Sequence, residues 1–171
     1  MSSDNPPVET IFLSYDHRDV DRIEPILNGL KSFQWTVYVD RFTLLSGDDW
    51  EKKIPRLIEN AYGVVVLWSH HSVQSKWVRK EAALGLAKPS KARRLFPVLL
   101  DRGIKPPAKL RLPHAVDLSD WNRDPNDQVF RNLVLGIENT WTLDRGMALR
   151  KNIKALKTIR FVQHSPAAAE V

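Results

Sequence analysis

Trp77 and Glu81 stand four residues apart in the stretch Ser75-Lys76-Trp77-Val78-Arg79-Lys80-Glu81. In a helix, positions i and i+4 lie one above the other on the same face, so an indole and a carboxylate would point into one space. Upstream runs the apolar segment Gly63-Val64-Val65-Val66-Leu67-Trp68, which reads as a strand, and then the polar turn Ser69-His70-His71-Ser72. A strand that leads to an aromatic and an acid at the mouth of a sheet makes a place for carboxylate chemistry. The ordinary alternative is a solvated surface Glu and an aromatic that packs the core. The elements around the pair decide between the two.

Those elements alternate. Ile11-Phe12-Leu13-Ser14-Tyr15 is rich in strand formers. Between Asp16 and Phe33 the apolar residues Val20, Ile23, Ile26, Leu27, Leu30 and Phe33 keep a helical period. Pro25 then implies either a helix beginning near Glu24 or a kink. Thr36 to Asp40 is a second strand, and the loop Arg41 to Asp48 leads to a helix carrying Trp50, Ile54, Leu57, Ile58 and Ala61, with Pro55 inside it. After the strand Gly63–Trp68, Ser75 is the expected N-cap of the helix bearing Trp77 and Glu81, and Gly85 to Pro89 its expected end. Arg94 to Leu100 is a fourth strand, where Pro97 calls for a position needing no backbone donor. A proline-rich connection, 104–113, reaches a short strand at Ala115 to Leu118. A helix from Gln128 to Trp141 then places Val129, Leu133, Ile137 and Trp141 in register.

Strands alternating with helices predict a parallel sheet covered on both faces, an α/β flavodoxin-like three-layer sandwich with five strands in the order 2-1-3-4-5. Ligands of such sheets bind beyond the carboxyl ends of the strands where the order reverses, between strands 1 and 3. Tyr15, Asp16, Asp40, Trp68 and Ser69 fall at those ends, and the helix with Trp77 and Glu81 follows directly. This convergence, not the pair itself, raises Glu81 above a surface charge.

Composition narrows the rest. With 43% hydrophobic and 27% charged residues over 171 positions, the chain has the makeup of one ordinary domain plus an appendage. There is no cysteine, so disulfides, thiolate nucleophiles and cysteine zinc sites are excluded. Absent cysteine and a polar start at Met1 to Pro7 fit a cytoplasmic protein, and no apolar run is long enough to cross a membrane. The net charge of +6 is uneven: from Trp141 onward six basic residues face Asp144 and Glu170 alone. A basic tail can hold nucleic acid or an anionic membrane but is more often a solvated helix face, so nucleic acid is not the expected partner. The expected division is a disordered segment at 1–9, a domain at 10–142, and a basic helical tail or linker at 143–171 with Met147, Leu149, Ile153, Leu156 and Ile159 as its apolar positions. G-x-G-x-x-G, the P-loop and G-x-S-x-G are missing, and His70-His71 have poor spacing for a metal.

Taken together, the boxes resemble Toll/interleukin-1 receptor (TIR) domains over residues 10 to 140. Ile11 to Tyr15 is similar to their first strand ending in Ser-Tyr. Val37 to Asp40 with Leu45-Ser46-Gly47-Asp48-Asp49-Trp50 resembles their second strand and BB loop. Val64 to Leu67, leading through Ser69, Ser72 and Ser75 to Trp77 and Glu81, resembles the Ser-x-Trp-x-x-x-Glu element of enzymatic members. One departure is that Asp16 and His17 precede Arg18, where members often carry a basic residue directly after Ser-Tyr.

The resemblance implies an NAD+ glycohydrolase or cyclase of the bacterial type, active on self-assembly, serving immune or anti-phage defence signalling. NAD+ would be its substrate, with no further cofactor and no metal. Glu81 would be the catalytic carboxylate and Trp77 a stacking surface, with Ser14, Tyr15, Asp16, Asp40, Phe42 and Ser69 around the cleft. Arg41, Leu44, Leu45, Ser46, Gly47 and Asp48 would form the BB loop that completes a neighbour's site in a homo-oligomer. The tail would lead to a C-terminal sensor module. The alternative is a non-enzymatic TIR adaptor acting through TIR–TIR contacts, although adaptors often lack the Trp-and-Glu pair.

Overall fold

The computed structural model describes residues 10–39, 50–87 and 94–162, excepting the side chains of 50–52 and 147–162. Its strands are β1 (Thr10–Ser14), β2 (Thr36–Val39), β3 (Gly63–Trp68), β4 (Leu95–Leu99) and β5 (Val116–Asp117). Its helices are α1 (Val20–Ser32), α2 (Trp50–Asn60), α3 (Lys76–Ala87) and α4 (Gln128–Val162), with 3₁₀ turns at His17–Asp19 and Ala108–Leu110. All pairings are parallel and the strand order is β2-β1-β3-β4-β5, the flavodoxin-like order expected from the sequence.

β1 and β3 are buried along their whole length, as apolar runs covered on both faces must be. Alternation divides their side chains between two cores. Ile11, Leu13, Val65 and Leu67 meet Ile26 and Leu30 of α1 and Phe130 and Ile137 of α4. Phe12, Val64, Val66 and Trp68 meet Ile54 and Ile58 of α2 and Val78 and Ala82 of α3. The second core is the one that carries the Trp77–Glu81 helix.

α3 ends at Ala87, inside the range 85–89 expected for its end, with Gly85 buried within the helix. Three sequence expectations are corrected. α1 starts at Val20, not near Glu24, with Pro25 inside it. The N–H that proline lacks would have met the carbonyl of Asp21, in the exposed first turn where water can serve instead. Val129 is exposed, and the packed face of α4 is Phe130, Leu133, Val134 and Ile137. The last helix does not close at Trp141: α4 runs unbroken through residue 142 to Val162.

Trp141 and Asp144 fasten that helix to the amino-terminal end of the sheet. Trp35, Tyr62 and Trp141 form a ring cluster with centroids 4.7 to 6.2 Å apart. The Arg94 guanidinium lies 4.2 Å from the Tyr62 ring centre, donates to the Tyr62 carbonyl at 2.8 Å and pairs with Asp144 at 2.9 Å. Burial holds the Tyr62 phenol well above its ordinary titration range. A chain ending after Thr142 is therefore expected to be about 1–2 kcal/mol less stable than one ending after Gly146, because Arg94 loses its carboxylate. Urea unfolding checks this, and equal midpoints would show that Asp144 adds nothing.

Pro97 occupies the donor-free position that its presence in a strand requires. The carbonyl of Arg94 accepts from Val64 and the N–H of Leu100 donates to Trp68, so even-numbered β4 residues bond β3 and odd-numbered ones face β5. β5 pairs only with Val98 and Leu99, leaving no partner strand opposite Pro97.

Candidate active site

α3 opens on Ser75, whose Oγ accepts from the Val78 N–H at 3.3 Å, the N-cap the sequence indicated. Its buried residues, Val78, Glu81, Ala82 and Gly85, follow the i, i+3, i+4, i+7 spacing of a single face. At Gly85 the helix lies so close to β3 that an added Cβ would stand 2.7 Å from Val64 Cγ2. As a crossover between parallel strands, α3 runs antiparallel to β3. Glu81, one turn back and about 6 Å nearer the carboxyl ends, comes level with Val66. Val66 is in register with Ser14 on β1. The Ser14 hydroxyl accordingly donates to Glu81 Oε2 at 2.5 Å, with both residues at most 1% exposed. An acid that a surface helix would have solvated is instead set deep at the β1–β3 crevice, where the strand order reverses.

Trp77 is half-buried, packs against the α2–α3 core, and carries Lys80 Nζ 5.2 Å from its ring centre. Tyr15 packs against the opposite core, beneath α1 and α4. Asp16 is buried and caps the 3₁₀ turn, accepting from the Arg18 N–H at 3.1 Å and from Arg18 Nε at 2.7 Å. Ser69 also turns to the α1 side. Ser14, Glu81 and Trp77 are thus placed on one face of the sheet, and Tyr15 and Ser69 on the other. Asp40, Arg41, Phe42, Leu44, Leu45, Ser46, Gly47 and Asp48 lie outside the described residues.

Arg18 engages Asp16 through its own side chain, which answers the departure seen in the sequence. Its hydrogen bonds hold the Asp16 carboxyl below the usual range, against the opposing effect of burial. A lowered carboxyl stabilises the fold fully above its unfolded value of about 3.9, and that stability is lost as pH falls through the lower folded value. Arg18→Ala should therefore flatten the acid limb of a stability–pH curve below about pH 4. An unchanged limb would mean that the pair contributes nothing.

Asp19, Arg22, His71 and Asp101 were not legible as a group. The buried Asp19 carboxylate accepts from Ser69 Oγ at 2.5 Å and lies 3.2 Å from His71 Nδ1. Arg22 reaches Asp19 at 3.3 Å and Asp101 at 2.7 Å. Asp101 in turn accepts from the His70 N–H at 2.8 Å. Burial pushes the Asp101 carboxyl up, but the Arg22 and His70 hydrogen bonds override it and the net shift is downward. This network ties the β3–α3 turn to the start of α1 and the end of β4. Asp19 stands just before a helix and reads in sequence as an N-cap, yet it makes no capping hydrogen bond.

A five-stranded parallel sheet in the order β2-β1-β3-β4-β5 defines the class of fold, flavodoxin-like α/β. The family model described as TIR domain matches residues 11–134, and the chain belongs to that family. Among solved structures it is similar to the TIR domain of the Toll-related receptor TRR-2 from Hydra magnipapillata, at 19% identity and TM-score 0.61, covering 75% of this chain and 97% of that one. It is also similar to a metazoan TIR-STING receptor from C. gigas in complex with 2',3'-cGAMP, at 23% identity and TM-score 0.55, covering 72% of this chain and 38% of that receptor. At these identities the likenesses bear on the fold alone. No curated protein sequence matches the chain.

Proposed function

We propose that this TIR domain cleaves the bond between nicotinamide and ribose in NAD+, with Glu81 as the essential carboxylate. The observation that carries the reading is the burial of Glu81 at the β1–β3 crevice, held by Ser14. As the C1′–N1 bond breaks, its electron pair goes to the pyridinium nitrogen and nicotinamide leaves neutral, so no general acid is required. Positive charge develops on the ribose, and a carboxylate in a water-poor hollow stabilises it by its field. Water adds at C1′ and releases a proton, giving ADP-ribose. Internal attack by the adenine gives a cyclic product instead. Ser14 donates to one oxygen of Glu81, which orients the carboxylate rather than the substrate.

In a single chain the carboxylate is almost wholly covered. The reading therefore requires self-assembly to open or complete the site. Nicotinamide release per chain should rise steeply with protein concentration and with crowding agents, followed by chromatography of the products. Release strictly proportional to concentration would remove the assembly requirement. A chain that assembles and releases no nicotinamide would return the domain to the adaptor reading.

A further inference from the structure

The Trp68 indole is fully buried at the end of β3, and its Nε1 has no hydrogen-bond partner among the described residues. Buried indole N–H groups normally find an acceptor, and a side chain needed only for packing would have no polar atom to leave unpaired. Trp68 projects to the same side of the sheet as Ser14 and Glu81 and packs in one cluster with Val78 and Ala82 of α3. Val66 is level with Ser14. Trp68, two residues further along β3, therefore stands about 6–7 Å nearer the carboxyl-terminal rim than the Ser14–Glu81 contact.

We propose that the Trp68 N–H is a positioning donor for the carbonyl oxygen on the pyridinium ring of the substrate. The inference rests on the glycohydrolase reading and assigns a ligand class to the site that opens beside Glu81: a cationic pyridine bearing a carbonyl group. The carbonyl oxygen of such a ring lies five bonds from the anomeric carbon, about 5 Å away. With the anomeric carbon at Glu81 and the ring directed toward the rim, the oxygen comes within about 2 Å of the level of Trp68, two residues beyond Val66. A donor there fixes the ring's orientation. It also draws electron density from the ring as the C1′–N1 bond breaks, an effect strengthened by low local polarity. Because the indole is covered in the single chain, the donor becomes available only as the site opens.

The test replaces Trp68 with 3-benzothienylalanine in the full chain, which keeps the ring shape and substitutes sulfur for the N–H. Two substrates are compared: NAD+ and its analogue with hydrogen in place of the ring carboxamide. The expected result is a fall of about tenfold in kcat/KM for NAD+, no change for the analogue, and a melting temperature no lower than the parent's. The difference between substrates isolates the hydrogen bond from any general loosening. Equal losses on both substrates, or no loss on NAD+, would overturn the proposal. If the replacement does not fold, Trp68→Phe carries the same two-substrate comparison. An active parent whose Trp68 variant matches it while Glu81→Gln is inactive sinks this inference alone. A parent that releases nothing when assembled sinks the glycohydrolase reading along with it.

Discussion

On the proposed function, replacing Glu81 with glutamine is expected to leave the fold standing and to lower nicotinamide release by about 10²- to 10³-fold or more, as removal of a single charge-stabilising group does in enzymes of known mechanism. The two side chains have nearly the same shape, and the amide oxygen can still accept from the Ser14 hydroxyl. What disappears is the negative charge that the proposed mechanism sets against the ribose. The melting temperature should hold or rise, since an amide is easier to bury than a carboxylate. A stable Glu81→Gln variant with parental turnover would show that Glu81 does no more than fasten α3 to β1. Ser14→Ala should have a smaller effect on turnover, near tenfold, because it loosens the carboxylate without removing it.

The second large effect comes from a residue with no chemistry. Gly85→Val would press a branched side chain into Val64, where even a Cβ stands 2.7 Å from Val64 Cγ2 and 2.8 Å from its Cβ. The strand cannot yield, because Val64 is paired to both β1 and β4. The helix must lift instead. A cost of about 1–3 kcal/mol in stability follows from overpacking. A displacement of about 1 Å one turn away at Glu81 would cut turnover by up to about 100-fold. Denaturant midpoint and turnover measured on one preparation check both. If turnover survives while stability falls, the level of α3 on β3 does not set the site. Gly136→Ala makes the contrast: its added Cβ meets nothing within 4 Å, so stability should rise by up to about 1 kcal/mol.

The fold was readable because its signals are local and repeated. Apolar runs such as Gly63–Trp68 announce buried parallel strands, and the helical periods between them leave few topologies. The pairing of Glu81 with the sheet was half readable. The i, i+4 relation to Trp77 and the N-cap at Ser75 lie in the sequence, but the level at which α3 meets β3 depends on the Gly85–Val64 contact, across 21 residues of chain. The range 85–89 holds the helix end at Ala87, but nothing local shows that Gly85 is packed on Val64. Asp19 is obscured in the same way. Its local signal is that of a helix cap, whereas its carboxylate bonds Ser69, fifty positions away. Val129 misled because a run of four apolar residues at helical spacing fits more than one stripe, and only the stack of Trp121 on Phe130, with centroids 4.8 Å apart, shows which stripe faces inward.

Pro97 has a consequence for how copies of this chain can meet. Beyond the reach of β5, β4 lacks a donor at its middle, so an incoming backbone would find an interrupted ladder and gain little by continuing the sheet. Molecules gathering along that flank must hold one another by side chains. Such gatherings come apart on dilution, whereas runaway strand addition does not.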